Sequence, residues 1–138
     1  MIKEAVLTLI LVLVSATAVV AANYIEPQEL KLLMDRKSET VIVDIQPAAD
    51  FEKHHLPGSI ETRAFPAVKA EEKARLDTAL TAIRASKAVV VIVCPRGKSG
   101  ALNSYKYLAS KGVSEDRLRI LEDGIAEWPY RELFVTGR

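Results

Sequence analysis

The residues best suited to chemistry stand in one short stretch, Cys94-Pro95-Arg96-Gly97-Lys98-Ser99-Gly100. Cys94 is the one cysteine of the chain, so it takes part in no intramolecular disulfide. A thiol acts as a nucleophile in its thiolate form, which positive surroundings favour. Arg96 and Lys98 supply two cations, with no acid between Cys94 and Gly100. Gly97 lets the backbone curl with positive φ, so that the amides of Arg96, Gly97, Lys98, Ser99 and Gly100 turn inward as an anion-binding nest. Pro95 has no N–H and contributes shape alone. A helix starting near Ser99 adds its unpaired N–H groups and its dipole. These features predict a Cys94 thiol with a pKa below its usual value of about 8.5, in a loop that attracts an anionic sulfur species. The plainer reading, a small buried hydrophobe at a strand end, fits the thiol but not the loop around it.

Such a loop needs a rigid edge to hold it. The most apolar stretch after the first 22 residues, Ala88-Val89-Val90-Val91-Ile92-Val93, has no polar alternation and runs straight into Cys94. That pattern predicts a middle strand covered on both faces. Thr40-Val41-Ile42-Val43-Asp44-Ile45 is a second such run, ended by Pro47, and Leu118-Arg119-Ile120-Leu121 a third. Between them lie helical patterns. Pro27 opens one with Leu30, Leu33 and Met34, and a brief one covers Ala48 to Lys53. Leu76, Leu80 and Ile83 predict a single amphipathic helix from about Ala67 to Arg84. Ala101, Leu102, Tyr105 and Leu108 predict another, running to Lys111 and capped by Gly112. Ile60 re-enters a short strand, and Asp123-Gly124 leads to a short helix ending at Trp128-Pro129. Strands alternating with helices mean an α/β fold, a central parallel sheet with helices on both faces. No internal repeat divides it, so one domain is read from residue 24 to residue 138. In such sheets ligands bind beyond the carboxyl ends of the strands, where Cys94 stands.

The first 22 residues belong to something else. From Ala5 to Ala22 there is no charged residue, and small residues surround the end of the run. A weak basic start, an apolar stretch to Val14 and Val20-Ala21-Ala22 before Asn23 predict a cleaved signal peptide over 1–22. The rival is an uncleaved membrane anchor, since Ala5 to Ile25 could just span a bilayer at about 20 residues. Either way the domain is expected outside the cytoplasm, periplasmic or secreted, and membrane-attached only where the segment stays uncleaved. With Lys+Arg 19 against Asp+Glu 18 in 138 residues, the net charge of +1 excludes a protein built to neutralise nucleic-acid phosphates.

Three pieces in order resemble the rhodanese-like sulfurtransferase domain. They are Asp44-Ile45-Gln46 leading to His55-Leu56-Pro57-Gly58, the Cys94 loop, and the close Asp123-Gly124-Ile125-Ala126-Glu127-Trp128. The resemblance covers about residues 24 to 130. It implies a Cys94 persulfide intermediate, taking a sulfane sulfur from a small anionic donor such as thiosulfate and passing it to a thiol or cyanide. The loop residues Arg96, Gly97, Lys98, Ser99 and Gly100 would then bind substrate, and an exported redox protein is a natural thiol acceptor. Neither a metal nor a cofactor is implied. Gln46 stands where the family has Arg, His54 where Gly is frequent, Glu61 where Asn is frequent, Asp123 at the first Gly, and Ser99-Gly100 where Arg-Ser is common. These departures leave open an alternative, a non-catalytic sulfur or redox carrier that docks on another exported protein. Related phosphatases and arsenate reductases place an oxyanion-clamping Arg where this chain has Gly100, which disfavours their chemistry.

Asp44, at a strand end, is expected to cap nearby amides. The His54-His55 pair reads as a loop with one packed ring rather than a metal site. Trp128, Tyr130 and Phe134 read as core closure. Lys111, Arg117 and Arg119, scattered among acids, read as solvated.

Overall fold

The computed structural model describes residues 21–138; residues 1–20, which hold most of the expected leader, lie outside that description. In chain order the elements are β1 (Tyr24–Ile25), α1 (Pro27–Asp35), β2 (Thr40–Asp44), α2 (Ala48–Lys53), β3 (Ile60–Glu61), α3 (Ala70–Ala74), α4 (Asp77–Arg84), β4 (Val89–Val93), α5 (Ser99–Ser110) and β5 (Leu118–Leu121). Two single 3₁₀ turns follow, Ile125–Glu127 and Arg131–Leu133.

The strands pair in the order β1-β5-β4-β2-β3, every pairing parallel. Parallel strands must be covered on both faces, and the unbroken Val/Ile runs meet that requirement. On one face, alternate residues Val41, Val43, Val90 and Ile92 pack with Leu76, Leu80 and Ile83 and with Ala101, Tyr105 and Leu108. On the other, Ile42, Val91 and Val93 pack with Leu30, Leu56, Ile125 and Trp128. β4 is the middle strand. Its register against β2, from Thr40 opposite Val89 to Asp44 opposite Val93, brings both strands to the same rim, so Cys94 and Ile45 leave the sheet side by side.

Three expectations need correction. The helix read as one from Ala67 to Arg84 is two, α3 and α4, broken where fully buried Leu76 turns into the core and Arg75 donates to the Arg63 carbonyl at 3.0 Å. Arg117 is not a free surface cation: its guanidinium donates to the carbonyls of Ala88 and Ile83, both at 2.9 Å, tying the approach to β4 to the end of α4. β1 was not anticipated. It is two residues long, too short for any periodicity, and exists because Tyr24 and Ile25 extend the edge beside Ile120 and Leu121.

The aromatic residues near the carboxyl end close the second core. Trp128 is buried and donates its indole N–H to the Tyr130 carbonyl at 2.9 Å. His55 is the packed histidine of its pair, stacked on Phe51 at 3.8 Å, with Nδ1 2.8 Å from the Phe51 carbonyl oxygen. The chain end straps this region: Val135 bridges His55, and the Gly137 amide donates to the Glu52 carbonyl at 2.8 Å.

Candidate active site

Cys94 follows the last residue of β4, and α5 begins five residues later at Ser99. The intervening loop folds back on the thiol. Gly97, at φ +67°, brings its own amide to 2.7 Å from Cys94 Sγ and donates to it. The amides of Arg96, Lys98 and Ala101 also act on the sulfur in the sense that favours thiolate. The nest is therefore present, with Ala101, one turn into the helix, as a contributor that the sequence reading did not name.

The direction of the thiol pKa is the reverse of the expectation. Cys94 is 2% exposed, and burial, the largest influence, pushes the thiol up; the four amides pull it down without cancelling that cost. The amides and cations are written in the loop's sequence, whereas desolvation of the thiol is decided by tertiary packing alone. Arg96 and Lys98 are exposed side chains at the mouth, too well solvated to offset burial of the sulfur.

The loop is propped from behind by the Asp123-Gly124 turn. The Ile125 amide donates to the Cys94 carbonyl at 2.9 Å, and the Ala126 amide to the Pro95 carbonyl at 3.1 Å. Gly124 makes this approach feasible. It sits at φ +69° and ψ −170°, a region that side chains avoid, and a Cβ there would lie 2.5 Å from the Arg96 nitrogen and 2.6 Å from the Cys94 carbonyl oxygen. Asp123, at φ +59°, occupies the left-handed region, which Asp tolerates better than most residues.

Cys94 opens into a cleft of about 310 Å³, lined by Pro95, Arg96, Lys98, Ser99 and Gly100 from its own loop and by Pro47, Asp50 and Phe65 from elsewhere. All the sequence-predicted site residues thus meet in one place; Gly97 serves beneath the sulfur rather than in the cleft lining. Pro47, Asp50 and Phe65 were missed. The first two reach the cleft because β2 ends beside β4. Phe65 does so because its amide donates to the Ile45 carbonyl at 2.9 Å, holding the segment after β3 against the same rim. Phe65 lies against Gly100, where a Cβ would come within 2.9 Å of its ring.

At the end of β2, Asp44 is fully buried and accepts from the Gln46 amide at 2.8 Å and from Gln46 Nε2 at 3.0 Å. The same Nε2 reaches the His54 carbonyl at 3.2 Å. Gln46 thus supplies the Asp44 carboxylate with hydrogen bonds but no charge. Burial accordingly pushes the Asp44 carboxyl up to about 6, against the pull of the Gln46 hydrogen bonds. Among the described residues no group of His, Cys, Asp and Glu side chains is arranged to hold a metal ion.

Solved structures share this architecture. A rhodanese-like domain protein from Staphylococcus aureus aligns over 84% of this chain and 99% of its own, with TM-score 0.60 and 19% identity. An As-Sb reductase from Leishmania major aligns over 84% and 86%, with TM-score 0.61 and 18% identity. A thiosulfate sulfurtransferase from Pseudomonas aeruginosa aligns over 85% of this chain but 21% of its own, with TM-score 0.61 and 20% identity. At such identities the likeness is one of fold. A search of curated protein sequences finds no match. The sequence model of the rhodanese-like domain matches residues 26–129, from the end of β1 to the residue after Trp128, and on that match the chain belongs to the rhodanese-like domain family.

Proposed function

We propose that this domain is a sulfurtransferase that carries a sulfane sulfur on Cys94. The observation that supports it best is the sulfur's setting: Sγ accepts the Gly97 amide at 2.7 Å inside a ring of amides, and the residue lines a cleft whose mouth carries Arg96 and Lys98. In the first step the Cys94 thiolate attacks the outer sulfur of thiosulfate, or of a persulfide donor. The new S–S bond forms on Cys94, the donor's S–S bond breaks, and the bonding pair leaves on sulfite, or on the donor's thiolate when the donor is a persulfide. In the second step a thiolate or cyanide attacks the outer sulfur of the Cys94 persulfide, and the electron pair returns to Cys94 as thiolate. The outer sulfur sits about 2 Å beyond Sγ, one bond further from the desolvating core, and the amides and the two cations favour its negative charge.

Gly100, where an oxyanion-clamping Arg would stand, weighs against phosphatase or arsenate-reductase chemistry. The apolar amino-terminal segment supports action outside the cytoplasm, periplasmic or secreted, with an exported thiol protein among the acceptors. The test is turnover: purified protein with thiosulfate and cyanide should release sulfite and thiocyanate together, and Cys94→Ser should release neither.

One observation favours a second reading, a carrier that exchanges sulfur only on a partner: burial holds the Cys94 thiol above its ordinary pKa, which slows attack on small donors. Fast turnover with thiosulfate alone would discard that reading. A protein that keeps its sulfur until a thiol protein is added would support it.

A further inference from the structure

The cleft is not uniformly cationic. Facing the amides, Arg96 and Lys98 is Asp50, from the first turn of α2, the one carboxylate among the residues that line it. Asp50 is half-buried, and no ion pair engages it among the described residues. Its amide donates to the Pro47 carbonyl and its carbonyl accepts from the His54 amide, while its carboxylate has no hydrogen-bond partner among the described residues and is free to meet a ligand in the cleft. As an acid in a first helical turn it also favours the α2 dipole.

We propose that Asp50 is a specificity-determining residue, making the cleft select acceptor thiols that carry an ammonium group near the sulfur. The inference rests on the sulfur-transfer reading and adds the acceptor's chemical class. A dianion such as thiosulfate is drawn by the nest and cations but opposed by Asp50. An aminothiol places its thiolate toward the Cys94 persulfide and its ammonium toward the carboxylate, so both ends are matched. The transfer is the one above: the aminothiol sulfur bonds to the outer sulfur, the bond to Cys94 Sγ breaks, and Cys94 recovers its thiolate. Arg96 and Lys98 also border a neighbouring hollow that holds Asp123 and Glu127, so the field at the mouth is mixed, and the Asp50 contribution is isolated by difference between variants.

Persulfide-loaded protein is discharged by three thiols of similar size, cysteamine, 2-mercaptoethanol and 3-mercaptopropionate, with rates corrected for thiolate fraction. The proposal expects that order in the wild type, and in Asp50→Asn a fall of about fivefold in the ratio of cysteamine to mercaptopropionate, with Asp50→Glu keeping the ratio. A merely structural Asp50 would slow all three alike, leaving the ratio unmoved, and that result would overturn the proposal. Asp50→Ser, which suits a helix start, is read the same way. A second readout needs no sulfur transfer: on unloaded protein, the rates at which aminoethyl and sulfonatoethyl methanethiosulfonate modify Cys94 should shift by a similar factor between wild type and variant. If no persulfide forms, the acceptor proposal falls with the transfer reading. If a persulfide forms and neither ratio moves, the proposal falls alone.

Discussion

Cys94 is held between two opposed influences, and its reactivity should report both. Because burial leaves the thiol above its ordinary value, alkylation of Cys94 should keep accelerating as pH rises through and beyond 9, with no plateau near neutrality. A plateau below pH 8 would show that the amides and cations win. Asp44 carries a consequence of the opposite kind, for stability rather than rate. Its carboxyl rises from 3.8 to about 6 on folding. A group with a raised folded pKa contributes stability that is whole below the unfolded value and is lost as pH climbs through the folded one. Over roughly two units, Asp44 therefore costs on the order of 3 kcal/mol at pH 7 relative to its protonated form. Denaturant titrations of wild type and Asp44→Asn should diverge between pH 4 and 6, with the wild type losing ground across that window and keeping a constant deficit above it. Gln46→Arg should bring the carboxyl back down and shrink the divergence; a parallel pair of curves would contradict this account. The strand-end position of Asp44 and its capping of a nearby amide are legible in the sequence, but its depth of burial is set by tertiary packing and is not.

At the scale of elements, the loop's shape depends on a turn that is remote in sequence. Gly124→Ala forces a side chain into the Arg96 backbone and into a region of φ and ψ that Ala avoids. It should cost about 3 kcal/mol or more and loosen the Cys94 loop. Thermal unfolding together with the sulfur-loading rate checks both halves; loss of stability with loading intact would show that the turn props the fold but not the site. Arg117→Ala, by contrast, removes two charged hydrogen bonds far from the rim. It should cost about 2 kcal/mol with sulfur loading unchanged in the folded fraction. The strands β2, β4 and β5 and the helix α5 were legible because each carries a run of residues whose pattern decides its state locally. The break between α3 and α4 was not. Leu76 fits the helical spacing of Leu80 and Ile83 as well as it fits a turn, and contact with the sheet and the loop at Arg63 makes the choice. Pro47, Asp50 and Phe65 were invisible as site residues for a related reason: the β2–β4 register and the Phe65 contact with Ile45 bring them to Cys94.

For the whole molecule, the parallel sheet explains why one loop can concentrate the chemistry. Five strands end on a common rim, two cores clamp them from either side, and the rim is where backbone amides lack partners. That much follows from two apolar runs and a cysteine at the end of one, so the fold and the position of the thiol were readable; the electrostatic balance at the thiol, set by packing on both faces, was not. Family membership rests on residues 26–129, and the acceptor and the cellular compartment are proposals beyond it. The central claim is that Cys94 bears a transferable sulfur, and the intact mass of the protein after thiosulfate treatment tests it directly. The account predicts a gain of one sulfur atom that maps to Cys94, is absent in Cys94→Ser, and disappears on addition of cyanide or a thiol. An unchanged mass with thiosulfate and with persulfide donors alike would contradict it.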